Sequence, residues 1–184
     1  RTFSAAMQDD LDEEVIFLTE EILILGKENQ AQRIIISYDT HSSSHHCTKD
    51  IHHTFNWGED GDTRLVAMST VAGQVSSQML VYKLKVLTLN GIMEISALEA
   101  TWADTRDEPQ LGENLAKECA ISRPSYEGSD TDSCPRLILG CKEVTKFPRR
   151  VSTPGRLTAE HPKMAVFQSI LTGNLLACGP LGQD

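Results

Sequence analysis

The histidine-rich segment between residues 39 and 62 is the first candidate for chemistry in this sequence. It contains five of the six histidines and one of the five cysteines. Imidazole and thiolate groups are the usual zinc ligands, and three or four of them must converge on one ion. His41, His45, Cys47 and His52 could provide such a set for zinc or copper. Their spacing matches no standard zinc motif, so an exposed polar loop without a specific metal is the alternative reading.

The segment from Pro109 to residue 121 is predicted to be a helix. Pro109 suits the first turn of a helix, and Leu111, Leu115 and Cys119 recur at a spacing of four residues. Further strands are predicted near residues 64–71, 78–89, 92–101 and 136–141, and a further helix over residues 162–172. We therefore expect three antiparallel strands, a helix, a strand and a second helix in that order.

This order of elements resembles that of the GNAT-type acyltransferases over residues 64–172. The resemblance implies that a loop at Gln110, Leu111 and Gly112 would grip the pyrophosphate of coenzyme A at the start of the helix. The family's pattern is Gln/Arg-x-x-Gly-x-Gly/Ala. Here Arg106 is followed by Asp107-Glu108-Pro109-Gln110-Leu111-Gly112, with one glycine and two carboxylates. The resemblance therefore lies in element order rather than in motif.

The basic segment at residues 142–156 stands out because the chain as a whole is acidic. It contains two lysines and three arginines and is interrupted by prolines, which indicates an irregular surface: Lys142, Lys146, Arg149, Arg150 and Arg156. An exposed cluster of this kind is the place where we expect an acidic partner to bind.

Charge and cysteine content narrow the function classes. The 26 acidic and 17 basic residues give a net charge of −9, which argues against nucleic-acid partners and anionic membranes. No apolar run approaches the roughly 18 residues of a membrane-spanning helix. Five cysteines in 184 residues, with no Cys-x-x-Cys pair, are few for a disulfide-rich secreted domain, which favours the cytoplasm over secretion.

Residues 82–99 are predicted to form the β-hairpin on which the fold is built. Asn90 and Gly91 suit the two central positions of a type I′ turn, which would place Val86 opposite Ile95. The second face is half polar and is expected to meet water. The first face is nearly all apolar and requires a core: Tyr82, Leu84, Val86, Thr88, Met93, Ile95 and Ala97.

The rest of the chain is predicted to cover that apolar face. Apolar residues at spacings of three and four predict a helix over residues 4–26, and a β-branched run predicts a strand at residues 33–38. Long loops are expected at residues 39–62, 122–135 and 142–161. The predicted fold is a single α+β domain over residues 1–184. Its mainly antiparallel sheet would be covered by helices near 4–26, 109–121 and 162–172.

Three functions from different classes remain open. The first is a binding or interaction protein that works through the histidine-rich loop at residues 39–62 and the basic segment at 142–156. The second is a small acyl-CoA-dependent transferase that uses Gln110, Leu111 and Gly112. The third is a zinc- or copper-binding protein. No P-loop, dinucleotide fingerprint or nucleophile elbow occurs in the sequence, which disfavours the enzyme classes built on those motifs.

Overall fold

A computed structural model describes residues 14–26, 30–48, 51, 62–100, 109–124 and 135–182. Within these ranges the chain forms eleven strands, two short α-helices and one 3-10 helix. The helices are α1 (Glu113–Glu118), α2 (Gly155–Glu160) and the 3-10 helix Cys141–Lys146. The strands are β1 Val15–Ile16, β2 Thr19–Leu25, β3 Ala31–Tyr38, β4 His45–Thr48, β5 Asp62–Thr70, β6 Gly73–Thr88, β7 Gly91–Ala100, β8 Leu137–Leu139, β9 Arg149–Val151, β10 Ala165–Gln168 and β11 Leu175–Pro180.

Six of these strands close into a barrel. Neighbours follow the order β2, β3, β8, β4, β7 and β6, and β6 pairs again with β2. The β3–β8 and β4–β7 contacts are parallel, and the other contacts of the ring are antiparallel. Closure leaves the ring without a free edge. Strand β5, which has nine residues, pairs with the first half of β6. The β5–β6 hairpin therefore extends beyond the ring.

Alternate residues of each strand fill the barrel, as the period of two in a strand requires. In β2, for example, Ile22 and Ile24 are buried, whereas Leu23 and Leu25 on the opposite face are half-buried. Every strand of the ring contributes to the same apolar cluster. Its fully enclosed members are Ile24, Ile36, Cys47, Val86, Ala97 and Leu137.

A second sheet has the strand order β1, β11, β10 and β9. The two α-helices pack on this sheet rather than on the 82–99 hairpin, because their apolar residues share a cluster with β10 and β11. That cluster includes Leu111, Leu115, Leu157, Val166 and Ala177. The sheet-rich part of the fold prediction is therefore confirmed, whereas neither of the α-helices in the described ranges covers the barrel hairpin.

The turn between β10 and β11 joins the second sheet to one end of the barrel. Leu171 in this turn is buried in the barrel's cluster. Its carbonyl oxygen accepts a hydrogen bond from the backbone N–H of Leu89, at the tip of the β6–β7 hairpin, with an N–O distance of 2.9 Å. The turn, residues 169–174, therefore closes this end of the barrel, and we call it the plug turn.

Two predicted helices are wrong. Residues 15–25 of the 4–26 helix form β1 and β2, and residues 4–13 lie outside the described ranges. The 3.6-residue period was matched by chance there, because the Glu20, Ile22 and Ile24 alternation fits a strand equally well. The 162–172 helix is β10 and the following turn, and the 109–121 helix is limited to α1.

The predicted loops also contain regular elements. The 39–62 loop contains β4, and the 142–161 loop contains the 3-10 helix, β9 and α2. Residues 122–124 have no helix or strand, and the remainder of the 122–135 loop up to residue 134 lies outside the described residues. The strands predicted at 33–38, 64–71, 78–89, 92–101 and 136–141 are confirmed, with shifted ends. The single domain over residues 1–184 stays a prediction.

The hairpin prediction has the correct faces but the wrong register. Val86 pairs with Met93 rather than with Ile95, because the two turn residues are Leu89 and Asn90. Neither of these two residues has the positive φ that a type I′ turn requires, and the positive φ, 115°, belongs to Gly91, which follows them. A register shift of two positions keeps every side chain on its face. The predicted core face is therefore confirmed.

Candidate functional site

The structure describes three of the four predicted metal ligands, His41, His45 and Cys47. β4 directs His45 and Cys47 into the barrel, where both are buried, since alternate residues of a strand share a face. His41 is exposed in the turn before β4, and His52 lies outside the described residues. Across the described ranges, no three His, Cys, Asp or Glu side chains are arranged to hold a metal ion. The zinc or copper hypothesis stays a prediction without support from these residues.

His45 has a structural partner instead. The backbone N–H of Gly140 donates to Nδ1 of His45, with an N–N distance of 2.9 Å. Nδ1 must therefore be unprotonated, which leaves the proton of the neutral ring on Nε2. Burial lowers the pKa of His45 and also that of the half-buried His46. The neutral imidazole thus joins β4 to the end of β8.

A buried carboxylate, which the sequence did not point to, lies at the plugged end of the barrel. Glu20 in β2 is only 2% exposed. One carboxylate oxygen accepts hydrogen bonds from the hydroxyls of Tyr38 and of Ser169, the latter at 2.6 Å. The other oxygen accepts from the hydroxyl of Thr172, also at 2.6 Å. Three hydroxyls from β3 and from the plug turn therefore satisfy one buried charge.

The plug turn is held by the same serine. Ser169 Oγ accepts hydrogen bonds from the backbone N–H groups of Leu171 and Thr172, each at 3.1 Å. Burial and the adjacent charge of Glu20 raise the pKa of Tyr38 well above its usual value. Tyr38 therefore stays protonated and keeps donating to Glu20. We define Glu20, Tyr38, Ser169 and Thr172 as the carboxylate cluster.

The carboxylate cluster contains the residue types of a catalytic site, but a substrate cannot reach its carboxylate. A general base must reach a proton of the substrate, directly or through one water molecule. Glu20 is enclosed, and its two oxygens already accept from three protein hydroxyls. The geometry therefore serves to fasten the second sheet to the barrel. A strand reading of Thr19–Leu25 would have placed Glu20 on the buried face beside Ile22 and Ile24.

The three residues predicted to bind coenzyme A lie directly before α1: Gln110, Leu111 and Gly112. A small open pocket beside them is lined by Gln110 and Leu111, and also by Arg123 and Ile121. Leu111 is buried in the second cluster, and the side-chain oxygen of Gln110 accepts a hydrogen bond from Arg123 at 3.2 Å. α1 has six residues, and the second helix of the acyltransferase order is a strand. A coenzyme A role for Gln110, Leu111 and Gly112 stays a prediction.

The basic segment presents an edge strand rather than a loop. β9 is the outermost strand of its sheet and pairs with β10, Arg149 with Gln168 and Arg150 with Phe167. Both arginines are exposed, and the guanidinium of Arg150 lies 6.0 Å from the centroid of the Phe167 ring. Such a contact orients the cation without neutralising it.

Arg149 and Arg150 differ from the third arginine of the basic segment. Arg156 in α2 binds Glu118 at 2.9 Å and Glu160 at 3.7 Å. Arg149 and Arg150 form no ion pair with any residue of the described ranges. β9 therefore carries two uncompensated positive charges on an acidic chain.

Comparisons with known proteins add no family or function. A scan against protein-family models finds no matching family, and a search of curated proteins finds no matching relative.

None of the helices in the described ranges is both long and apolar enough to span a membrane. Cys47, Cys119, Cys141 and Cys178 form no disulfide with one another.

Proposed function

We propose that this protein is a binding domain that recognises an acidic, extended segment of another protein at strand β9. The observation that carries the proposal is the pair of exposed arginines, Arg149 and Arg150, on an edge strand of a chain with a net charge of −9. Of the two surfaces expected from the sequence, the histidine-rich one directs His45 and Cys47 into the core. The proposal therefore rests on the basic segment.

An edge strand can bind an extended segment by adding it to the sheet. The backbone groups of the added strand provide affinity, and alternate side chains provide specificity. Arg150 lies over Phe167 on one face of the small sheet, so Arg149 lies on the opposite face. A segment with carboxylates on both faces would meet one arginine on each side. Because the chain as a whole carries a net charge of −9, the attraction of an acidic segment is local to the two arginines of β9.

The test uses a fluorescein-labelled peptide that repeats Glu-Glu-Thr-Thr, which places carboxylates on both faces of an added strand, with the glutamine version of the same peptide as the uncharged probe. Fluorescence anisotropy should show saturable binding of the acidic peptide alone, and the affinity should fall as salt concentration rises. The double variant Arg149→Glu/Arg150→Glu should bind at least about tenfold more weakly, which corresponds to about 1.4 kcal/mol.

A matched variant separates the site from general charge effects. Arg33→Glu/Lys83→Glu makes the same change in net charge at two exposed positions of the barrel. This variant should bind the acidic peptide as the wild type does. Equal losses in both double variants, or equal binding of the acidic and glutamine peptides, would refute recognition at β9.

A further inference from the structure

The outer face of the barrel has an apolar row that crosses three strands. Leu23 in β2 is the register partner of Leu87 in β6, and Leu87 is the partner of Ile92 in β7. All three point away from the core, since their neighbours Ile24, Val86 and Met93 face inward. Leu87 is 37% exposed and Ile92 is 55% exposed. Aliphatic side chains in such a contiguous row favour an interaction surface.

The next row along the same strands begins with the half-buried Leu25 in β2 and is charged in β6 and β7. Lys85 in β6 pairs with Glu94 in β7, and both side chains are exposed on the outer face. One cation and one anion therefore lie side by side, directly beside the apolar row. A surface with both signs on neighbouring strands is complementary to itself after a rotation by 180°.

We propose that this outer face, centred on β6 and β7, binds a second copy of the chain in a two-fold symmetric dimer. A two-fold axis parallel to β6 and β7, passing between them, places Lys85 over Glu94 of the partner subunit. The same rotation places Leu87 over Ile92 of the partner subunit. Each contact then occurs twice, so one Lys–Glu pair on the monomer becomes two intermolecular pairs.

Charge complementarity favours a second copy over an unrelated partner. A uniformly acidic partner would meet Glu94 with a like charge, and a uniformly basic one would meet Lys85 in the same way. The two rows span about 14 Å across three strands and a similar distance along them, so the contact is much smaller than the roughly 800 Å² per partner of a standard interface. We therefore expect a weak dimer that forms only at high protein concentration.

Sedimentation velocity over a series of protein concentrations tests this dimer. The wild type should shift from monomer to dimer as concentration rises. Lys85→Glu alone and Glu94→Lys alone should each raise the dissociation constant at least tenfold, because each places like charges opposite one another. An equimolar mixture of the two variants should dimerise again, since every intermolecular pair in the mixed dimer has opposite charges.

Lys83→Glu is the matched control, because Lys83 lies on the same strand and face but pairs with Ser96. It should dimerise as the wild type does, and thermal melting of every variant checks that the fold is retained. A wild type that stays monomeric at all concentrations would overturn the proposal. Dimers that both charge reversals leave unchanged, or a mixture that stays monomeric, would overturn it as well.

Discussion

Gly140 is the position at which we expect one added methyl group to cost most. It follows β8 and approaches the turn before β4 closely. A Cβ built on it would lie 2.8 Å from the carbonyl oxygen of Ser42 and nearer still to that of Ser44. Both contacts are with backbone, which cannot rotate away. The φ of Gly140 is −93° and its ψ is −177°, which alanine adopts without strain, so the cost of Gly140→Ala is purely steric.

Two contributions set the magnitude of this effect. Forcing an extra carbon into a packed site costs about 1–3 kcal/mol. The required backbone shift would also stretch the 2.9 Å hydrogen bond from Gly140 to His45, and an unsatisfied buried polar group costs about 1–3 kcal/mol. We expect Gly140→Ala to lower the free energy of unfolding by about 3 kcal/mol. For a chain of this length that corresponds to a fall in Tm of roughly 6–12 °C.

Urea unfolding followed by circular dichroism measures this change, with Gly112→Ala as the matched control. Gly112 has a φ of −55° and no heavy atom within 4 Å of an added Cβ. Gly112 is also the N-cap of α1, where alanine is less favourable, so the control should change stability by less than about 1 kcal/mol in either direction. A Gly140→Ala variant within about 0.5 kcal/mol of the wild type would refute the close approach of Gly140 to this turn.

Three further predictions concern the barrel. Ser169→Ala should lower the free energy of unfolding by about 2–4 kcal/mol, because Glu20 loses a donor and two backbone N–H groups lose their acceptor. Stability should fall as pH drops through about 6.5, because the unfolded chain binds a proton that the buried His45 resists, and His45→Asn should flatten that slope. Gly91→Ala should cost about 1–3 kcal/mol, because its φ of 115° suits only glycine.

The same unfolding assay checks all three. Ser152→Ala removes an exposed hydroxyl and should change stability by less than about 0.5 kcal/mol, so an equal effect of Ser169→Ala would contradict the anchoring role of Ser169. A pH slope that is identical in the wild type and in His45→Asn would exclude His45 as its source. For Gly91, stability unchanged by alanine would show that the turn adopts another conformation.

The hairpin shows what local sequence can and cannot predict. Alternation gave the buried face correctly, because a strand has a period of two. The turn was misplaced because Asn90-Gly91 fits a type I′ turn by composition. The hydrogen bonds of Thr88 reveal the actual turn: its Oγ1 donates to the Gly91 carbonyl at 2.8 Å and accepts from the Asn90 N–H at 3.2 Å.

The β5–β6 turn repeats this geometry. Thr70 Oγ1 donates to the carbonyl of Gly73 at 2.9 Å and accepts from the N–H of Ala72 at 3.2 Å. Gly73 has a φ of 124°, close to the 115° of Gly91. The shared pattern Thr-x-x-Gly at the ends of both loops is therefore the signal that could have fixed both registers from the sequence.

The barrel itself could not be derived from the sequence, because its closure depends on contacts between distant segments. β8 has three residues and is inserted between β3 and β4, about a hundred positions earlier in the chain. Nothing within Leu137–Leu139 specifies those neighbours. The β2–β6 pairing that closes the ring is also long-range, and misreading β2 as a helix concealed it. Local pattern predicted most strands, and tertiary contacts decided their arrangement.

The carboxylate cluster links this architecture to the proposed binding surface. Arg149 in β9 pairs with Gln168 in β10, and Ser169 follows immediately and donates to Glu20 inside the barrel. The strand that carries the free arginines is therefore one strand away from a buried, fully satisfied anchor. A surface held in this way loses little conformational entropy when a partner orders on it. Under the proposed function, the hydrogen bonds of Glu20 to the turn after β10 would therefore also hold the neighbouring edge strand in place for an acidic segment.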